Sequence, residues 1–150
     1  MIEGNVNDRV AKVGVVVARW NSMVTDRLLE GALSALKSKG LNNDQMIVAR
    51  CPGAFELPLI AKKLLERDDI EGIVTLGAVI RGDTPHFDYV CKAVTDGVLE
   101  LNIRSGKPVI FGVLTTDNVE QALQRCGEKG NKGAEAALAM LEMISLLKKI

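Results

Sequence analysis

Val13-Gly14-Val15-Val16-Val17-Ala18 is a run of small and β-branched residues with no polar position in it. Strict alternation would mark a strand with one wet face. An unbroken short apolar run instead fits a strand buried on both faces, the kind found inside parallel sheets. Asn21 and Ser22 follow as candidate helix caps. Val24, Leu28, Ala32, Ala35 and Leu36 then recur at helical spacing until Gly40 stops them. The same unit repeats outward. Met46-Ile47-Val48-Ala49 reads as a second strand ended by Pro52-Gly53, with a helix from about Phe55 to Arg67. Gly72–Gly77 reads as a third strand, followed by a loop from Arg81 to Pro85 and a helix to about Arg104. Pro108–Leu114 is the fourth strand. Two helices, about Asn118–Cys126 and Gly133–Lys149, finish the chain. Strands separated by helix-length segments imply right-handed crossovers and a parallel sheet with helices on both faces. The expectation is one α/β domain over residues 1–150, a three-layer α/β/α sandwich with no linker or repeat.

Composition bounds the function. The 150 residues are 47% hydrophobic and 25% charged, with a formal net charge of +0. A nucleic-acid binder usually carries a basic excess, so that class is disfavoured. Cys51, Cys91 and Cys126 are scattered, form no CxxC pair, and find one histidine, His86, in the whole chain, so no metal site is expected. Such cysteines read as reduced thiols of the cytoplasm. The start, Met1-Ile2-Glu3-Gly4-Asn5, has neither a basic nor an apolar run, so no signal peptide is expected. Apolar runs fall well short of the ~18 residues of a membrane span.

Ligands of open parallel sheets bind beyond the carboxyl ends of the strands. Four connections leave that edge: at Trp20, at Gly53-Ala54-Phe55-Glu56, at Val79 to His86, and at Thr115-Thr116-Asp117. Of five aromatics, Trp20, Phe55, Phe87 and Tyr89 lie in or just after these connections, and Phe111 lies in the fourth strand. They serve either to stack a planar ligand or to pack the core edge. Glu56 either complements a helix dipole or accepts hydrogen bonds from a ligand. His86 either shuttles protons near neutral pH or opens a helix as a surface residue. Arg125-Cys126-Gly127-Glu128-Lys129-Gly130-Asn131-Lys132-Gly133 is either an anion cradle before a helix N-terminus or a helix-breaking turn with solvated cations. It lacks the spacing of a Walker loop.

Four segments taken together carry a resemblance. Pro52-Gly53-Ala54-Phe55-Glu56-Leu57-Pro58, Gly77 to Val90 (GAVIRGDTPHFDYV), Phe111-Gly112-Val113-Leu114-Thr115-Thr116 and Gly130-Asn131-Lys132-Gly133 resemble, in order and nearly throughout the chain, the signature segments of lumazine synthases. That resemblance implies a flavodoxin-like sandwich with a four-stranded parallel sheet. It implies no cofactor, small-molecule substrates, and pentamers with each active site at the boundary of two subunits. Those pentamers can build a hollow icosahedral shell, with riboflavin synthase as its candidate partner. Trp20 then stacks on the heteroaromatic ring. Ala54, Phe55 and Glu56 hold the pyrimidine and ribityl chain, and Ala78, Val79 and Ile80 line the pocket. Asp83 and Thr84 lie where the family binds the sugar phosphate, and His86 transfers protons. Phe111 and Arg125 come from the adjacent subunit, Arg125 and more weakly Lys132 meeting the phosphate.

The implied activity is 6,7-dimethyl-8-ribityllumazine synthesis. The alternative is a non-catalytic flavin-binding or shell-forming protein of the same fold, which would need neither His86 nor Arg125. Trp20 stands where many bacterial members have Phe, and Asp83 where many have Glu, Gly or Ala. The segment between Arg125 and Asn131 is one residue shorter than in common bacterial members, in a loop associated with shell packing. The larger indole leads to a further expectation, that riboflavin binds on Trp20 in competition with the uracil substrate.

Overall fold

A computed structural model describes residues 1–150. Its strands β1 (Lys12–Ala18), β2 (Met46–Cys51), β3 (Ile70–Ile80) and β4 (Val109–Thr116) form one parallel sheet in the order β2-β1-β3-β4. Helices α1 (Ser22–Ser38) and α5 (Lys132–Lys149) cover one face, α2 (Leu57–Leu65) and α3 (His86–Ser105) the other. A short helix α4 (Val119–Gln124) and a two-rung hairpin, β5 (Cys126–Gly127) with β6 (Gly130–Asn131), join β4 to α5. This is the flavodoxin-like three-layer sandwich expected from the sequence.

The Val13–Ala18 run is the hub. On β1, Val13, Val15 and Val17 point into the core with Leu28 and Leu36 of α1 and Met140 and Leu141 of α5. Val16 and Ala18 point into the opposite core with Leu57 and Ala61 of α2 and Val94 and Val98 of α3. Val13, Val15, Val16 and Val17 are wholly buried, each contributing about 1.5–3 kcal/mol of burial free energy. Gly133 lets α5 cross α1, because a Cβ there would overlap the Leu28 carbonyl.

Three local expectations change. First, β3 runs on past Gly77 to Ile80, because β4 keeps supplying rungs as far as Ile80 opposite Thr116. Second, Asn21 does not cap α1 with its side chain. It takes the left-handed conformation, φ 61°, and its Nδ2 donates across the sheet edge to the Ala78 carbonyl at 2.8 Å. Asparagine is among the few residues that tolerate this region. Third, the 125–133 segment is a hairpin rather than an open cradle. Asn131 caps α5 itself, its Oδ1 accepting from the Ala134 N–H at 3.1 Å and its Nδ2 donating to the Arg27 carbonyl at 3.0 Å.

Candidate active site

The sheet order reverses direction of travel between β1 and β3. The chain leaves β1 toward β2 on one face and leaves β3 toward β4 on the other. A crevice must open beyond the carboxyl ends of those two strands. A cavity of about 510 Å³ lies there, walled by Trp20 and Asn21 after β1, Gly53 to Glu56 after β2, Ala78 to Ile80 at the end of β3, and His86 and Val90 of α3. That volume is in the range of small-molecule sites.

Each wall has a local cause. The Trp20 N–H donates to the Pro52 carbonyl at 2.9 Å, and the Arg19 N–H to that of Cys51 at 2.8 Å, fastening the turn after β1 to the end of β2. The indole then lies on Gly53, where a Cβ would overlap Trp20 Cε3. Any larger residue at position 53 would lift the ring. Glu56 Oε2 accepts from the Gly53 N–H at 3.0 Å, half of a capping box, while Oε1 has no protein partner. One oxygen of Glu56 orders the helix start, and the other has no hydrogen-bond partner within the chain. None of the aromatics fills the core. Trp20, Phe55, Tyr89 and Phe111 are exposed, whereas Phe87 is half-buried and packs against the core on the α2–α3 face.

His86 is exposed at the first residue of α3, with its backbone N–H 3.4 Å from Thr84 Oγ1 and no side-chain hydrogen bond. An imidazole held on a helix start and free at both nitrogens can pass a proton to a bound ligand. Asp83 and Thr84 are exposed in the loop before it and line no part of this cavity. The buried Cys51 thiol is pushed up by burial and by the Glu56 carboxylate, and the Cys91 thiol by burial and by Asp88. Neither is a ready thiolate nucleophile.

Phe111, Arg125 and Lys132 are elsewhere. They line a second groove, of about 420 Å³, between β4 and α5. Arg125 Nη1 donates to the Gln121 carbonyl at 2.9 Å, and Lys132 pairs with Glu135 at 3.0 Å. Within one chain, cavity and groove share no lining residue.

Sequence reasoning missed Asn21, Gly53 and Val90 as lining residues. Val90 was within reach, since it sits one helical turn after His86 on the same face. Gly53 and Asn21 depend on contacts between separate connections.

A family model for 6,7-dimethyl-8-ribityllumazine synthase matches residues 10–148. The chain belongs to that family. It is also 47% identical over 150 residues to a protein named 6,7-dimethyl-8-ribityllumazine synthase from Desulfatibacillum aliphaticivorans, with 99% of this chain and 97% of that relative covered. The lumazine synthase resemblance of the four motif segments thus extends over the sheet and all the helices that bury it.

Proposed function

We propose that this chain is a lumazine synthase, a transferase that condenses 5-amino-6-(D-ribitylamino)uracil with 3,4-dihydroxy-2-butanone 4-phosphate to give 6,7-dimethyl-8-ribityllumazine, phosphate and water. The observation that carries it is that, in a chain of this family, Trp20, Phe55 with Glu56, and His86 arrive from three separate connections to wall one cavity. The uracil brings its own nucleophile, a primary amine, which attacks the ketone of the sugar phosphate. Loss of water gives the imine, phosphate leaves, and closure of the second ring releases a further water. Such chemistry asks chiefly for two substrates held in reacting geometry.

Trp20 stacks on the pyrimidine ring, Ala54, Phe55 and Glu56 hold it and the ribityl hydroxyls, and Ala78, Val79 and Ile80 close the back wall. His86 moves protons in imine formation and elimination, worth ~10²–10⁴-fold. Asp83 and Thr84 meet the sugar phosphate. Arg125, with Lys132, neutralises its phosphate from a neighbouring subunit, and Phe111 of that neighbour covers the ring. The separation of cavity from groove supports this division, since each chain carries two halves that do not meet within it.

The working unit is a homo-oligomer, in our reading a pentamer, each protomer one domain over residues 1–150. The sheet edges at β2 and β4 are unpaired within the chain, and natural sheets pair or cover such edges. Met1 and Ile2 are exposed and free to reach a neighbour's sheet, whereas from Glu3 onward the segment is tied to its own α5. Icosahedral packing and an enclosed riboflavin synthase belong to the same reading, as does a cytoplasmic site of action, which the three free cysteines suit. No helix is long and apolar enough to cross a membrane.

Mixing the purified protein with both substrates and following lumazine fluorescence tests the activity; a protein that forms no product overturns it. Light scattering tests the assembly, and a well-folded monomer at micromolar concentration would remove the shared site.

A further inference from the structure

Arg81 directly follows β3 and begins the loop that carries Asp83 and Thr84 and leads to His86 at the start of α3. Its backbone N–H makes the last rung of the sheet, to the Thr116 carbonyl at 2.9 Å. Its side chain has three further engagements. Nε donates to Asp117 Oδ1, just past β4, at 2.9 Å; Nη1 lies 3.6 Å from Asp88 Oδ1 in the first turn of α3; and the guanidinium sits 4.4 Å from the centre of the Phe87 ring. The loop beyond it has little else. Between the Arg81 rung and the Asp88 N–H to Pro85 carbonyl bond of α3, the long His86-to-Thr84 contact is its one internal hydrogen bond.

Resting on the functional reading above, we propose that Arg81 is a positioning residue for that reaction, tying the end of β4 to the first turn of α3 and so setting the place of His86 and of the Gly82–Pro85 loop against the sugar phosphate. Only a planar fork can bond one carboxylate, face a second and stack on a ring at the same time, so lysine is no equivalent. The ion pairs are about half-exposed and pairs of that kind contribute little to stability. Their consequence is geometric. A small displacement of a positioned group costs far more rate than the broken contact costs folding.

The test uses the assembled full-length protein as Arg81→Gln, Arg81→Lys, Asp117→Asn and the Arg81→Gln/Asp117→Asn double variant. Expected for Arg81→Gln is a fall in kcat/KM for the sugar phosphate on the order of 10- to 100-fold, with the dissociation constant of the ribitylaminouracil within about threefold of wild type. Arg81→Lys should recover part of the loss. Asp117→Asn should move in the same direction, and the double variant should be no worse than Arg81→Gln alone, since linked residues are not additive. If Arg81→Gln does not fold, Asp117→Asn alone carries the same split between substrates. Equal losses for both substrates, additive losses, or a variant indistinguishable from an active wild type would overturn the role of Arg81 and leave the enzyme intact. A wild type that makes no product would instead overturn the functional reading beneath it.

Discussion

The two ends of the sheet both open onto hollows, and the two differ in what their polar groups do. At the amino ends of the strands a groove of about 700 Å³ runs between Arg9, Gly40, Asp44 and Lys148. Several of its polar groups bond one another, although the Arg9 guanidinium and the Asp44 carboxylate do not. Glu71 pairs with Lys148 at 2.6 Å and accepts from the Ala11 N–H, Gln45 Nε2 donates to the Val10 carbonyl at 3.0 Å, and Lys148 also reaches the Arg9 carbonyl. At the carboxyl ends the hollow is smaller, yet His86 has no side-chain partner, one Glu56 oxygen is free, and Trp20 and Phe55 are exposed. Polar groups that mostly bond one another, as Glu71, Lys148 and Gln45 do, mark a structural joint. Convergent groups left open beside apolar walls mark a place for a ligand.

Substitutions should therefore separate the two ends, sparing stability at one and activity at the other. The largest effect is expected for Arg125→Ala: kcat/KM for the sugar phosphate should fall by on the order of 100-fold, as for loss of a charge-assisted contact, with uracil affinity nearly intact. A change of less than about threefold would make Arg125 a helix-end surface residue. His86→Ala should lower kcat by roughly 10²-fold, more than it raises either KM, and leave the melting temperature unchanged; some turnover survives because proximity remains. Full activity in that variant would return His86 to the role of a helix-opening residue.

The other end should show the reverse. Glu71→Ala should cost about 1–2 kcal/mol of unfolding free energy in urea and leave kinetics untouched; a matching loss of activity would break the contrast. Trp20→Phe comes next. Riboflavin should quench on the wild type and bind the variant more weakly by about 0.5–1.5 kcal/mol, with the substrate less affected. Equal quenching by both proteins would make the indole a packing choice.

The smallest effect concerns acid. The Asp69 carboxyl, bonded to Arg67 and Lys12, is held at about 2 against an ordinary 3.8, and Asp8, bonded by Ser145 and Lys149, is also lowered. A carboxylate whose folded pKa is depressed stabilises above its unfolded value and loses that contribution as pH falls through the folded one. For Asp69 the window runs from about pH 4 down to about pH 2. Urea midpoints of wild type and Asp69→Asn should differ modestly at pH 6 and converge near pH 2.

The fold was legible because its signals are local. The valines of β1 and the spacing of Val24, Leu28, Ala32 and Leu36 require no knowledge of what lies across the sheet. The edge that carries the site was legible too, since parallel strands bring all their carboxyl ends to one side. What escaped depends on residues distant in sequence. Asn21 reads as a cap until Ala78, 57 positions on, offers its carbonyl. Arg81 reads as a loop cation until Asp117, 36 positions on, meets it. Gly53 reads as a turn residue until the indole of Trp20 rests on it. Gly53 and Arg81 are present by letter in the lumazine synthase motifs and Asn21 lies outside them, but in all three cases the contacts arise only on folding.

The separation of the Trp20–His86 cavity from the Phe111–Arg125 groove gives the shared-site reading a genetic consequence. If a whole site needs one half from each of two neighbours, a chain impaired through His86→Ala and a chain impaired through Arg125→Ala carry damage in different halves. Co-expressed, they would assemble rings in which some boundaries join an intact cavity to an intact groove, so two impaired alleles would complement within one locus. Two alleles damaged in the same half would not.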